Sequence, residues 1–191
     1  MRHIAFVVGL VACGTGSAYA DSLIEGGCDH LSGRYDARGI GTYTVDEGSD
    51  PAITRSSTRP IWGVFKTFVD ASRSAELLRL ASGEVVVLIR GPSVSLSRDA
   101  PNELPVRLTF NLASFGVRCV ESQLVFPEKT VVIARGAEGT RGSNSTENKL
   151  LLGGPGGSLL YREHSEIQQN GFFFRPRIKM RAEFSFRRIE N

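Results

Sequence analysis

Histidine is the scarcest chemistry-bearing residue of this chain, present only as His3, His30 and His164. His30 and His164, accompanied by Asp29, Glu163 and Glu166, are of the types that hold zinc with an open position. They stand about 130 residues apart, however, and no His-x-His or His-Glu-x-x-His spacing occurs, so no metal site is expected. The glycine-rich stretches 136–142 and 153–157 lack the Lys-Ser/Thr ending and the strand-loop-helix context of a phosphate-cradling loop. They read as hairpin loops. A serine nucleophile needs a base and an oxyanion hole; there is no Gly-x-Ser-x-Gly elbow, and Ser93, Ser95 and Ser97 alternate onto a solvated strand face. Nothing singles out a carboxylate pair for glycoside chemistry. No cofactor motif is present, and no catalytic residue is assigned.

One charged surface remains. Arg175, Arg177, Lys179, Arg181 and Arg187, with Arg188, line one side of a terminal strand and form a candidate surface for an anionic glycan, headgroup or acidic partner. The plainer reading is that these charges keep a solvent face soluble and discourage stray pairing. Asn144-Ser-Thr146 is a glycosylation sequon, expected on a loop.

The compartment follows from the first residues. Arg2, the apolar run from Ile4 to Ala12 and the small-residue ending Ala18-Tyr19-Ala20 have the three parts of a secretory signal. Residues 1–20 are therefore expected to be a cleaved leader, with a single β-rich domain over 21–191 that is periplasmic or secreted. The run is too short to span a hydrocarbon core, which needs roughly 20 apolar residues. Leu10-Val11-Ala12-Cys13 offers a minority alternative, acylation at Cys13 as in bacterial lipoproteins. Removing the leader takes one of 23 basic residues and leaves 22 against 20 acidic. That balance argues against a nucleic-acid partner. Cys28 and Cys119 remain, and in an oxidising compartment two such cysteines pair; the alternative is two free buried thiols.

The elements that would position these groups are mostly strands. A first strand runs from Tyr35 to Val45, bent at Gly39 or Gly41. Residues 46–59 are polar and read as a loop. Ile61 to Val69 fits either a helix opened by Pro60 or a strand, and 72–80 reads as a short helix capped by Ser72 or Ser74. Val85 to Ile89 is a continuous apolar run, suited to a strand covered on both faces. Val106, Leu108, Phe110 and Leu112 share one face of a later strand. Val131 to Ala134 and Leu159 to His164 are short strands, and residues 136–158 read as the least structured part. The clearest strand is the last, with Ile178, Met180, Ala182, Phe184 and Phe186 on one face and charged residues on the other. The whole is expected to be all-β, an antiparallel meander of about 7–8 strands forming a small barrel or sandwich, with one or two short helices near 61–81. A membrane-spanning barrel is excluded by the charge on that last strand. Parity places Cys119 opposite an inward set of Val120, Leu124 and Phe126, so a bridge to Cys28 is expected on the outer side of the sheet.

Cys28-Asp-His-Leu-Ser-Gly-Arg-Tyr35, with the mid-chain Arg118-Cys119-Val-Glu-Ser-Gln-Leu124, resembles small bacterial envelope proteins whose mature domain opens Cys-x-x-Leu-Ser-Gly-x-Tyr. Tyr35 also stands where lipocalins carry the tryptophan of their Gly-x-Trp start. The resemblance carries no assigned activity; the first reading is an exported, non-enzymatic β domain whose interior holds a small apolar ligand or is simply packed, or which meets an envelope partner. The alternative is a secreted hydrolase without a recognisable motif. An apolar cavity would favour the first, and convergent carboxylates or a Ser-His pair the second.

Overall fold

The computed structural model describes residues 27–48, 51–68, 73–101, 103–134, 141–170 and 177–190. The leader, Val69, Ser72, Arg175 and most of the 136–142 stretch lie outside them. Among these described residues twelve strands and one short helix follow in order: β1 (Gly33–Asp36), β2 (Arg38–Asp46), β3 (Ile53–Pro60), α1 (Ser74–Arg79), β4 (Glu84–Arg90), β5 (Ser93–Arg98), β6 (Val106–Asn111), β7 (Arg118–Val120), β8 (Gln123–Val125), β9 (Lys129–Ala134), β10 (Arg141–Gly153), β11 (Leu159–Asn170) and β12 (Arg177–Phe186). They form two antiparallel sheets. The smaller has the order β1-β4-β5-β6. The larger has the order β3-β2-β12-β11-β10-β8-β7, with β9 also paired to β10. The all-β antiparallel expectation holds, in the form of two sheets and not a closed barrel.

A single core joins the sheets. Val85, Val87, Ile89, Val94, Leu96, Val106, Leu108 and Phe110 come from the smaller, and Leu124, Leu151, Leu159, Tyr161, Phe184 and Phe186 from the larger. Strict alternation in β6 and β12 produces these faces, since successive side chains of a strand point to opposite sides. The sheets meet where β12 runs on past Phe186: Asp36 N–H donates to Arg187 O (3.0 Å) and Ile189 N–H to Arg34 O (2.8 Å). The chain crosses between the sheets a second time at Ala37, whose N–H bonds Gly83 O.

Several local expectations change. The first strand breaks at Ala37, giving β1 and β2 in different sheets. Gly39 and Gly41 instead permit close approach: a Cβ on Gly41 would sit 1.8 Å from Glu183 O, and one on Gly39 2.8 Å from the Phe186 ring. The polar stretch read as a loop contains β3, an edge strand that is almost wholly exposed. An edge strand bathed by solvent on both faces carries no apolar alternation, so its Thr and Ser content was its only signature. Val85 to Ile89 is covered on one face alone, with Val86 and Leu88 still 38% and 37% exposed. Ile61–Val64 and Lys66–Phe68 are single 3-10 turns, and Pro60 ends β3. Arg73, not a serine, takes the N-cap position of α1, where its guanidinium bonds the Glu76 carboxylate. Residues 141–153, within the stretch read as least structured, form β10, so Asn144 lies in a strand opposite Ile167 and not on a loop. Residues 153–157 do form a hairpin turn, with Gly156 and Gly157 at positive φ.

The largest correction concerns Cys119. Glu121 and Ser122 both have positive φ (48° and 64°) and make a two-residue turn between β7 and β8. Cys119 therefore stands opposite Leu124, not on the reverse face. It is buried, and so is Cys28, to which it is disulfide-bonded. The bridge runs through the core, while Val120 is the residue left exposed.

Candidate ligand-binding cleft on the larger sheet

The inner face of the larger sheet is fully covered only in part. On β12 Phe184 and Phe186 are buried, but Ile178, Met180 and Ala182, on the same face, are half-buried among the described residues. Tyr43 and Val45 of β2 share this condition. Where the core ends there is a cleft of about 270 Å³, with Tyr43, Met180, Ala182 and Phe184 as its apolar lining. Tyr43 OH donates to Met180 Sδ at 2.6 Å. Its polar groups are Ser57, Arg59, Glu163 and Ser165.

Glu163 is the centre of the polar group. It takes an inward position of β11, two residues after the buried Tyr161 and opposite Ala182 of β12. Arg59 Nη1 donates to Glu163 Oε2 at 2.7 Å, and Tyr161 OH donates to the same oxygen at 2.9 Å. Lys149 Nζ lies 3.5 Å from Oε1. The Arg59 guanidinium also sits 4.7 Å over the Tyr161 ring and 5.7 Å from that of Phe184, a cation–π arrangement in a partly dry setting. The backbone explains how Lys149 arrives here. Glu147 pairs with the outward His164, yet Leu151 pairs with the inward Tyr161. An irregularity between Glu147 and Leu150 exchanges the faces of the odd positions and turns Lys149 inward.

The electrostatics are those of a partly desolvated cluster. Burial alone pushes the Glu163 carboxyl up, but Lys149, Arg59 and the two hydrogen bonds together hold it below the ordinary carboxylate value. Burial drives the Tyr161 phenol far upward against the pull of Arg59, with Glu163 adding to the rise. At neutral pH the group is thus two cations, one carboxylate and a neutral phenol.

The structure scatters the residues that the sequence marked for chemistry. His30 is exposed and bonded through Nδ1 to Gly27 O at 2.9 Å, while His164 is on the outer face of β11 opposite Arg181. Among the described residues no three metal-ligating side chains cluster. Among the described residues Ser165 in the cleft has no histidine beside it on that face, because its chain neighbour His164 points the other way. Ser95 Oγ bonds Thr109 Oγ1 on the smaller sheet.

The basic strand face is compensated in part. Arg177 pairs with Glu166, and Arg187 with Asp36 at 2.9 Å. Arg181 opens on a shallow groove of about 370 Å³ with Thr42, Thr44, Arg162, His164 and Glu183, in which Arg162 and Glu183 pair at 2.7 Å. Lys179, Arg181 and Arg188 lack an ion pair among the described residues; Arg188 turns toward the smaller sheet, donating to Ser32 O at 2.9 Å and lying over the Tyr35 ring.

Sequence reading marked Glu163 for the wrong reason and missed Arg59 and Lys149. The available signal was parity, a carboxylate falling on the inward side of a strand that begins with Leu159 and Tyr161. Among the described residues no helix is long and apolar enough to cross a membrane. No family model, curated protein or solved structure matches the chain.

Proposed function

We propose that this chain is an exported, non-enzymatic β domain that binds a small ligand, or the apolar part of an envelope component, in the cleft on its larger sheet. The observation that carries this reading is the half-covered strip of Tyr43, Met180 and Ala182 at the point where the core ends. Leaving such apolar surface wet costs about 25 cal/mol per Å² relative to covering it. Export is in keeping with the Cys28–Cys119 bridge, because structural disulfides persist in oxidising compartments. It also agrees with the resemblance of the Cys28–Tyr35 stretch to envelope proteins.

The test is native mass spectrometry of the protein as purified from its own host, beside Met180→Trp, which fills the cleft. A small-molecule adduct present on the natural protein and lost from the variant is the expected result. A natural protein without adduct, or an adduct equally retained by the variant, overturns the reading.

A further inference from the structure

The polar cluster at the edge of the cleft is electrically unbalanced among the described residues. Arg59, in the cleft lining, and Lys149, which reaches Glu163 from β10 outside that lining, share one carboxylate among the described residues, that of Glu163, and all three side chains are only 20–27% exposed. A surplus positive charge held partly out of water is costly unless an anion meets it. Arg59 offers five N–H donors, and among the described residues only Nη1 is engaged, by Glu163. Arg55 stands exposed at the rim, two positions from Ser57 on the same side of β3. The opposite part of the cleft is apolar, formed by Tyr43, Met180 and Ala182. Polar and apolar halves in one cleft call for a ligand divided in the same way.

We infer that the cleft takes a short amphiphile bearing one acidic group, with a carboxylate directed at Arg59, in the field of Lys149 behind Glu163, and an apolar chain laid along Tyr43, Met180 and Ala182. This rests on the cleft reading above and adds the charge of the ligand. The size agrees: about 270 Å³ is just below the roughly 300–1,000 Å³ of pockets for drug-sized molecules, so a chain of several carbons suits it better than a large lipid. A charge-assisted contact would displace little, since the unused donors of Arg59 need no rearrangement of its bond to Glu163.

Calorimetric titration of the full chain with octanoate, octanol and octyltrimethylammonium tests this directly. Octanoate is expected to bind at least tenfold more tightly than octanol, and the cationic chain most weakly. Two variants then move in opposite directions. Lys149→Gln removes one cation and weakens octanoate binding about tenfold while leaving octanol unchanged. Glu163→Gln removes the competing carboxylate and strengthens octanoate binding. A cluster serving only to hold the fold would weaken binding in both variants. Equal affinity for octanoate and octanol overturns the charge inference and leaves the cleft reading standing; failure of all three chains to bind overturns both.

Discussion

Cys119 faces Leu124 across the β7–β8 hairpin, and both side chains point into the core. The bridge from Cys119 to Cys28 therefore ties the 3-10 turn Cys28–Leu31 directly to the packed interior. It closes a separation of 91 residues, for which chain entropy in the unfolded state is worth about 4–5 kcal/mol, with measured values usually less. Reduction, or the double change Cys28→Ala and Cys119→Ala, should lower stability by about 2–5 kcal/mol. Urea midpoints with and without reductant measure this. An unchanged midpoint would contradict the inward bridge.

Gly41 gives a second prediction. Its missing side chain lets β2 lie against β12, because an added Cβ would meet Glu183 O at 1.8 Å. The strands must separate in Gly41→Ala, at a cost of about 1–3 kcal/mol or more, as for other overpacked sites. Gly27→Ala is the control: nothing lies within 4 Å of its added Cβ, so its thermal midpoint should stay close to that of the natural chain. Similar midpoints for the two variants would argue against the strand pairing.

Acid should reveal Glu163. Its carboxyl is held below the ordinary 4.5 in the folded state, so the unfolded chain takes up its proton first as pH falls. The contribution is complete above about pH 4.5 and disappears as pH drops through the lower folded value. Glu163→Gln lacks this dependence. The stability gap between the natural chain and the variant should therefore narrow below about pH 4.5, measured by urea unfolding across the acid range. A gap independent of pH would mean that Glu163 is not stabilised as a carboxylate.

Alkali should reveal Tyr161 and Tyr35. Burial raises both phenols, with Arg188 partly opposing the rise at Tyr35. An unfolded tyrosine ionises near 10.0, so their contribution is present below that pH and is lost as pH rises beyond it. Ultraviolet absorbance should show their phenolates appearing together with loss of near-ultraviolet circular dichroism. Tyr161→Phe should soften the alkaline decline. Full tyrosinate absorbance from an intact fold would contradict the burial.

The parts of this fold that the sequence made legible share one physical feature: a single side of the strand meets the core. β6 and β12 show it by uninterrupted alternation, and the all-β class follows from such segments. β3 was hidden because an edge strand wetted on both faces leaves no pattern in Ile53 to Pro60. Cys119 was misplaced because parity was carried through Glu121 and Ser122, where a two-residue turn renews the count. The cleft was least legible of all. Arg59 is 104 residues from Glu163, and Lys149 reaches it only through a register irregularity in β10. Topology, with β12 paired between β2 and β11, is what brings them together.

Of the two methionines of the sequence, Met1 falls in the expected leader and Met180 in the cleft, so methyl-labelled methionine places a reporter in the cleft. The most direct measurement is the Met180 methyl resonance of the full chain titrated with octanoate. A saturable shift of the Met180 signal is expected, diminished in Lys149→Gln. A Met180 signal that does not move while octanoate binds elsewhere on the protein would contradict it.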